Sequence, residues 1–217
     1  MKILLTGFKP FNKASINPTE EIISSLKDTY KDHKIYKLLL DVEYQNDYLK
    51  IEDKIREVNP DLVIMMGLAG GRKVVNLEAV ALNIRHATIS DNKGTMYLNT
   101  KIDEKLPLAY ETNLDYKNIY EKMKSEKFMI SYHAGTYICN DIYYNTLNYI
   151  YTNKLNIKCG FVHFPFLEGE KTNLPTMKLD EMKDILFKLI DSINEWFLRV
   201  IEIVINLVTL FLSAYKT

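Results

Sequence analysis

Two cysteines and four histidines are the side chains of this sequence best suited to nucleophilic and proton-transfer chemistry. Cys139 opens a stretch in which apolar residues recur every three to four positions, which is typical of a helix. A thiol in the first helical turn lies near unpaired N–H groups and the positive end of the helix dipole, which lower its pKa and favour the reactive thiolate. The alternative is that Cys139 only packs, because free cysteines are among the most buried residues.

A proton acceptor for that thiol is His163, at the end of the apolar run "IKCGFVHF" and two residues before Pro165. A neutral imidazole there takes a proton from the thiol and later gives it to a leaving amine. The competing interpretation is a hydrogen-bonded structural histidine at a strand end. Cys159, in the same run, is predicted to be a buried strand residue. The remaining histidines lie in a charged loop or lack an acid or thiol partner: His33, His86 and His133.

A Cys–His pair needs a third group that holds the imidazole in the correct tautomer and orientation. Glu78 in "GLAGGRKVVNLEAVALN" is the candidate, because it lies between Leu77 and a mostly apolar stretch. An unpaired carboxylate in such surroundings would be costly, so Glu78 is expected to have a partner.

Short apolar runs and helical patterns alternate along the chain. The first helical pattern has Asn17 as N-cap and Pro18 at its first position, and the pattern "QNDYLKIEDKIREVNP" ends before Pro60. This alternation predicts an α/β domain with a largely parallel sheet covered on both faces. The predicted strands are Lys2–Thr6, Ile35–Leu39, Asp61–Met66, Phe128–Tyr132 and Ile157–Phe164.

Four loops follow these strands: "TGFKPFN", "GLAGGR", "HAGTYICN" and "HFPFLEGE". Ligands of open α/β sheets bind at the carboxyl ends of the strands. If the sheet is parallel at these positions, the loops converge on one edge and bring Cys139 and His163 together.

Composition limits the classes of protein and partner. The formal net charge of zero argues against nucleic acid as the main partner, because phosphate binding needs a basic surplus. Two cysteines are too few for a disulfide framework, and the short apolar run of "MKILLTGFKPFN" reads as a first strand rather than a signal peptide. We therefore predict a cytoplasmic protein.

Seven blocks make the sequence recognisable when they are taken together: "LLTGFKPF", "NPTEE", "GLAGGR", "EAVALN", "SDNKG", "SYHAGTYICN" and "FVHFPFLE". In order and spacing they resemble the pyroglutamyl peptidases of type I, a family of cytosolic cysteine peptidases, over Met1 to about Ile193. The resemblance implies a three-layer α/β/α sandwich with a mostly parallel mixed sheet. It also implies a catalytic triad that matches Glu78, Cys139 and His163, and it implies no cofactor.

The resemblance further implies that the substrates are peptides with an N-terminal pyroglutamate, whose flat, uncharged lactam suits an apolar pocket. The two pocket phenylalanines of the family match Phe8 and Phe11, which could otherwise be core residues of a tight turn. Tyr137 and Ile138 match the pocket wall beside the nucleophile. Leu68 belongs to the Gly-rich turn whose backbone is expected to line the acyl pocket.

Four residues depart from the family pattern. Thr88 and Ala79 stand where the family has arginines, and Asn12-Lys13 replaces a glycine pair. Arg85 is a candidate to send its guanidinium into the space left at Thr88. These departures motivate a second hypothesis, in which the chain is a non-catalytic pyroglutamyl-peptide-binding member of the same fold.

The family resemblance ends before an apolar tail, so we divide the chain into a domain, residues 1–195, and a tail, residues 196–217. The polar residues of the tail recur at spacings of three and four and form one narrow helical stripe: Arg199, Glu202, Asn206, Thr209 and Ser213. The uncharged run is shorter than the roughly 20 residues that a spanning helix needs. We expect a helix that buries its apolar face against the domain or against another subunit of a homo-oligomer. The alternative is a membrane-surface anchor.

Overall fold

The structure is a computed structural model that describes residues 1–12, 14–170 and 173–214. The described strands are β1 (Lys2–Phe8), β2 (Thr29–Tyr30), β3 (His33–Leu40), β4 (Leu62–Leu68), β5 (Val75–Glu78), β6 (Val80–Leu82), β7 (Ala109–Glu111), β8 (Phe128–Ser131), β9 (Lys158–Phe164), β10 (Phe166–Leu167) and β11 (Thr176–Met177). The helices are α1 (Pro18–Ser25), α2 (Asn46–Val58), α3 (Tyr116–Met123), α4 (Ile138–Thr152) and α5 (Leu179–Ala214). All five strands predicted from the sequence are present in the main sheet.

The main sheet has seven strands in the order β2-β3-β1-β4-β9-β5-β8. Strands β3, β1, β4 and β9 are mutually parallel, whereas β5 pairs antiparallel to β9 and parallel to β8. The sheet is therefore mixed, with a parallel centre, as the resemblance implies. The condition of the parallel-edge argument does not hold for β8, which runs opposite to the central strands, yet the loop after β8 still reaches the same cavity as the loops that follow β1 and β4 and the end of β9.

Two apolar clusters cover the two faces of the sheet and define three layers. One cluster contains side chains of α1, α3 and α5, and the other contains side chains of α2 and α4. Successive residues of a strand point to opposite faces, so odd-numbered residues of β4 and β9 face α2 and α4. This parity decides which side chains of β9 can meet helix α4.

The helix ends follow their local signals. The side chain of Asn17 accepts a hydrogen bond from the N–H of Thr19, with Pro18 at the first helical position, so the predicted N-cap is confirmed. Helix α2 ends at Val58, and Asn59 takes a left-handed conformation before Pro60. Helix α4 begins at Ile138, which confirms the helix predicted around Cys139.

The backbone of α5 is helical from Leu179 to Ala214, and it passes the predicted boundary between residues 195 and 196 without interruption. Its apolar side chains from Met182 to Ile193 contribute one face of the helix to the core. The predicted burial of the tail's apolar face concerns side chains outside the described set, so that prediction stands as made. Among the described residues, none of the helices has the length and hydropathy that crossing a membrane requires.

Candidate active site

Helix α4 carries the candidate nucleophile in its first turn. Tyr137 is the N-cap residue and makes no side-chain capping bond, and Cys139 is the second helical residue. The first N–H groups of a helix have no partner within the helix. The N–H groups around Cys139 are therefore available to an oxygen that approaches the sulfur.

The sulfur of Cys139 lies over Gly67 of β4, and Cys139 and His163 line the same pocket. Gly67 of β4 is the register partner of His163 on β9, and paired residues of adjacent strands point to the same face. A Cβ atom added at Gly67 would lie 2.9 Å from the Sγ of Cys139 and 2.9 Å from the Cζ of Phe161. Gly67 therefore leaves the space that the sulfur occupies, and its neighbour in the sheet is the candidate base.

Glu78 holds the other side of the imidazole. Its Oε1 lies 2.6 Å from the Nδ1 of His163, and both side chains are buried. Glu78 pairs with Phe161 across the antiparallel β5–β9 ladder, which places its side chain on the same face as His163. The buried hydroxyl of Tyr143 on α4 donates to the backbone oxygen of Glu78 at 2.9 Å, so this strand is tied to the helix of Cys139.

The electrostatics of the pair favour a neutral thiol and a neutral imidazole. Burial and the charge of Glu78 raise the pKa of Cys139 to about 12, although its own N–H and Arg72 act in the opposite direction. Burial lowers the pKa of His163 against the opposing effect of Glu78. The expected depression of the thiol pKa was therefore wrong, because burial beside a carboxylate outweighs the helix start.

Glu78 itself stays ionised. Burial raises its pKa, but the hydrogen bond and charge of His163, together with Ser131 and Arg72, hold it below the usual value. An ionised carboxylate that accepts from Nδ1–H leaves Nε2 as the unprotonated nitrogen of the neutral ring. This tautomer is the one that can accept a proton from the thiol.

A pocket of about 210 Å³ opens above Cys139 and His163. Every residue proposed from the sequence as a pocket residue lines it: Phe8, Phe11, Leu68, Tyr137 and Ile138. The rings of Phe11 and Tyr137 lie 6.3 Å apart. Cys139 and His163 line the same cavity, so seven of the eight site residues predicted from the sequence lie there. The eighth, Glu78, is not a lining residue and contacts His163.

Seven lining residues were not singled out from the sequence as site residues, and two of them, Arg72 and Val42, bear on the chemistry and shape of the cavity. Arg72 lines the pocket and donates from Nη1 to the Oε1 of Glu78 at 2.7 Å. The sequence signal was its place at the end of "GLAGGR", where only the backbone was expected to line the pocket. Val42 also lines the pocket, from the loop before α2, with φ of 63°.

The backbone of Val42 is strained, because a β-branched residue at positive φ is an outlier. The loop is held by its neighbours: the carboxylate of Asp47 accepts from the N–H groups of Asp41 and Glu43, and the oxygen of Val42 accepts from the N–H of Asn92. Such over-determined strain is found at ligand-binding walls.

The departures from the family pattern lie around the pocket rather than in it. Thr88 is exposed and Ala79 is fully buried, and neither is a lining residue. Asn12 takes a left-handed conformation with φ of 48°, which asparagine tolerates better than most residues. Lys13 lies outside the described residues.

Arg85 pairs with Asp141 in the first turn of α4. Its Nε donates to the Oδ1 of Asp141 at 2.5 Å, and both side chains are nearly excluded from solvent. The guanidinium also lies over the rings of Tyr44 and Tyr97. Arg85 thus stabilises the first turn of α4 through its ion pair with Asp141.

We expect Arg85→Met to lower the free energy of unfolding by about 3–5 kcal/mol, because it leaves the buried carboxylate of Asp141 unpaired. Urea unfolding measures this loss. Arg56→Met, which removes exposed ion pairs, should cost less than about 1 kcal/mol. The loss at Arg85 should shrink at low pH, where the unpaired carboxyl becomes protonated. Equal effects of the two variants would contradict a buried Arg85–Asp141 pair.

A thiol at a helix start beside a histidine–glutamate pair, above an apolar pocket of an α/β/α sandwich, is the arrangement of a cysteine-dependent hydrolase. The family description "Pyroglutamyl peptidase" matches residues 1–193. Pyrrolidone-carboxylate peptidase 1 of Caldanaerobacter subterraneus is 44% identical over 187 residues, which are 84% of this chain and 92% of that protein. The pyrrolidone-carboxylate peptidase of a Thermoanaerobacter species is 40% identical, with 84% and 92% covered.

Solved structures agree with the sequence relatives. Pyrrolidone carboxyl peptidase from Thermococcus litoralis superposes with a TM-score of 0.86 at 29% identity, covering 91% of this chain and 95% of that one. Pyroglutamyl peptidase I from Bacillus amyloliquefaciens gives 0.84 at 30% identity, with 88% and 94% covered. The chain belongs to the pyroglutamyl peptidase family of cysteine peptidases, hydrolases that cleave an N-terminal pyroglutamyl residue from peptides.

Proposed function

We propose that this chain is an active cysteine omega-peptidase that removes N-terminal pyroglutamate through a Cys139–His163–Glu78 triad and a thioester intermediate. The observation that carries the proposal is the position of the Cys139 sulfur over Gly67, beside an imidazole whose Nδ1 lies 2.6 Å from Glu78. A catalytic thiol must stay reduced, and both cysteines are free, so we place the enzyme in the cytoplasm.

In the first half-reaction the neutral His163 takes the thiol proton as the sulfur attacks the acyl carbon of the pyroglutamyl residue. This order follows from the raised pKa of Cys139, because the thiolate forms only as the proton moves. The tetrahedral oxyanion accepts hydrogen bonds from the backbone N–H groups at the start of α4. One such donor contributes about 3–4 kcal/mol to lowering the barrier of comparable reactions.

The intermediate collapses when the C–N bond breaks and His163 gives its proton to the leaving amine, so the peptide departs as a neutral amine. The pyroglutamyl group is then a thioester on Cys139. In the second half-reaction His163 removes a proton from water, the hydroxide oxygen attacks the thioester, and the thiol regains its proton. Pyroglutamate is released and the enzyme returns to its starting state.

The pocket suits the lactam because its walls are aromatic and aliphatic. Phe8 is buried at its base, and Phe11 and Tyr137 form its sides. A flat, uncharged ring needs apolar faces and a few hydrogen bonds rather than a charged clamp. Among the described lining residues, Arg72 is the one with a permanent charge, and its guanidinium is already paired with Glu78.

The test of this function is release of a fluorophore from a pyroglutamyl amide under reducing conditions, with the prolyl amide as control. The ring of proline has nearly the same size, but it lacks the lactam oxygen and carries a charged amine, so it shows whether the pocket requires the uncharged lactam. We expect release from the pyroglutamyl amide alone. Tight binding of pyroglutamyl peptides without any release would instead support the non-catalytic binding member of the fold.

Gly67→Ala should lower kcat on the order of 10²-fold, because the new methyl group displaces the sulfur from its position beside His163 and small misplacements of reacting groups have effects of that size. Steady-state kinetics with the pyroglutamyl amide measures the loss. Gly160→Ala is the matched control, since its Cβ would meet Leu114 and Leu77 on the opposite face of the sheet. That variant should lose stability and keep kcat. A wild-type kcat in Gly67→Ala would disprove the placement of the sulfur.

A further inference from the structure

The Oε1 atom of Glu78 has two donors. The Nδ1 of His163 lies 2.6 Å away and the Nη1 of Arg72 lies 2.7 Å away, so one carboxylate oxygen is shared between the imidazole and a guanidinium. Glu78 is fully buried, and Arg72 reaches it from the turn after β4 with its side chain 28% exposed. Gly71, just before Arg72, has φ of 92°, a conformation that glycine adopts without strain and that turns the chain back toward β5.

Without Arg72, the pair of His163 and Glu78 would work against the reaction. A buried, unshared carboxylate favours the imidazolium form of its histidine partner. An imidazolium has no free lone pair and cannot take the proton of Cys139, which carries that proton in the free enzyme. The site therefore needs Glu78 to orient the ring without charging it.

Four titratable or charged groups face His163 from the surrounding elements: Glu78 on β5, Arg72 in the turn after β4, His133 in the loop before α4 and Cys139 on α4. Burial lowers the pKa of His163, Glu78 raises it, and Arg72 and His133 lower it. Of the two groups that lower the pKa of His163, Arg72 is the one that contacts the same oxygen as the imidazole, and its guanidinium stays charged at every pH at which the enzyme works.

We propose that Arg72 is a positioning residue of the reaction, which shares the carboxylate of Glu78 with His163 and so keeps the imidazole oriented and neutral as the base for Cys139. The inference deepens the proposed function and rests on it for its catalytic meaning. Arg72 acts on His163, through the shared carboxylate and through its own charge, rather than on the reacting atoms. A purely structural ion pair between Arg72 and Glu78 would only add stability. The charge of Arg72 also favours the neutral form of His163.

The test is an NMR titration of the His163 imidazole, assigned with His163→Gln, in wild type, Arg72→Lys and Arg72→Gln. The glutamine keeps a hydrogen-bond donor but removes the charge, so it should raise the pKa of His163. The lysine keeps the charge and should stay close to wild type. Arg56→Gln, which removes an exposed arginine on α2, is the matched control and should change nothing.

A second pair of variants keeps the test decisive if Arg72→Gln does not fold. Glu78→Gln and Glu78→Gln/Arg72→Gln both lack the buried carboxylate, so neither leaves it unpaired. The pKa of His163 should be higher in the double variant than in Glu78→Gln, because only the single variant retains the guanidinium. The same pKa in both proteins would overturn the inference.

Turnover gives the second readout. In Arg72→Gln the acid limb of the kcat/KM profile should move to higher pH, and kcat near neutral pH should fall by about tenfold or more because the base is partly protonated. KM should change little. A rise in KM with unchanged kcat would mean that Arg72 only contacts the substrate, and it would overturn the inference. If the wild-type protein releases no pyroglutamate, the proposed function fails, and the titration still decides the role of Arg72.

Discussion

Cys139→Ala will reduce kcat for pyroglutamyl amides on the order of 10⁶-fold, as removal of a nucleophile does in other acyl-transferring hydrolases. The reason is that Cys139 is the one cysteine among the described residues that line the pocket with His163, and the proposed mechanism passes through a bond to its sulfur. Binding should survive, because the apolar lining is untouched. Fluorescence release and binding of a pyroglutamyl peptide, measured on the same preparation, separate the two effects.

Cys159→Ala is the matched control for this variant. Cys159 is fully buried on β9, four residues before His163, and burial raises the pKa of its thiol. Its loss should cost some stability through packing and leave kcat unchanged. If Cys139→Ala and Cys159→Ala released product at the same rate, Cys139 would not be the nucleophile.

Glu78→Gln will reduce kcat by about 10⁴-fold, the loss seen when the orienting carboxylate of a Ser–His–Asp triad is replaced by its amide. The amide no longer fixes Nδ1–H toward the carboxyl oxygen, so the tautomer with a proton on Nε2 becomes populated and cannot accept from Cys139. KM should change little, because Glu78 lies behind His163 and does not line the pocket.

The direction in which the pH profile of Glu78→Gln shifts can also be predicted. The hydrogen bond and charge of Glu78 raise the pKa of His163, so their removal lowers it further and shifts the acid limb of kcat/KM to lower pH. Glu57→Gln is the control for loss of a carboxylate, because Glu57 forms an exposed ion pair with Lys54. A Glu78→Gln enzyme within about tenfold of wild type, with an unchanged acid limb, would remove Glu78 from the triad.

Much of the site could be predicted because the type of a side chain limits the chemistry that it can perform. Cys139 at a helix start, His163 at a strand end and Glu78 in an apolar stretch are each weak signals, and the structure brings them together as expected. The strand containing Glu78 was not assigned from the sequence, because β5 is four residues long and its neighbour on one side runs antiparallel. Strand direction depends on pairings between distant segments, which a local pattern does not contain.

Two electrostatic features could not be predicted from the sequence, the raised pKa of Cys139 and the contact of Arg72 with Glu78, and both have the same origin. A helix start lowers a thiol pKa in isolation, but the thiol of Cys139 is placed beside Glu78 by packing of α4 against β4 and β9. Likewise Arg72 is an ordinary residue of a Gly-rich turn until the turn folds it back onto Glu78. Charges act through distance, and these distances are set by tertiary structure rather than by spacing along the chain.

The departures at Thr88 and Ala79 affect the surroundings of the pocket and leave its lining intact. Arg85 is paired with the buried carboxylate of Asp141, so we expect it to stabilise the first turn of α4. We expect the loss of the family arginine at Thr88 to affect the rate or the fit of the substrate, which steady-state kinetics of the wild-type protein will measure.

The central claim is that the sulfur of Cys139 becomes acylated during turnover. Rapid acid quench of the wild-type enzyme with an activated pyroglutamyl ester, followed by peptide mass spectrometry, tests it most directly. We predict a pyroglutamyl thioester on the peptide that contains Cys139, none on the peptide that contains Cys159, and none in Cys139→Ala. A burst of leaving group with Cys139 unmodified, or an adduct on any other residue, would contradict the account.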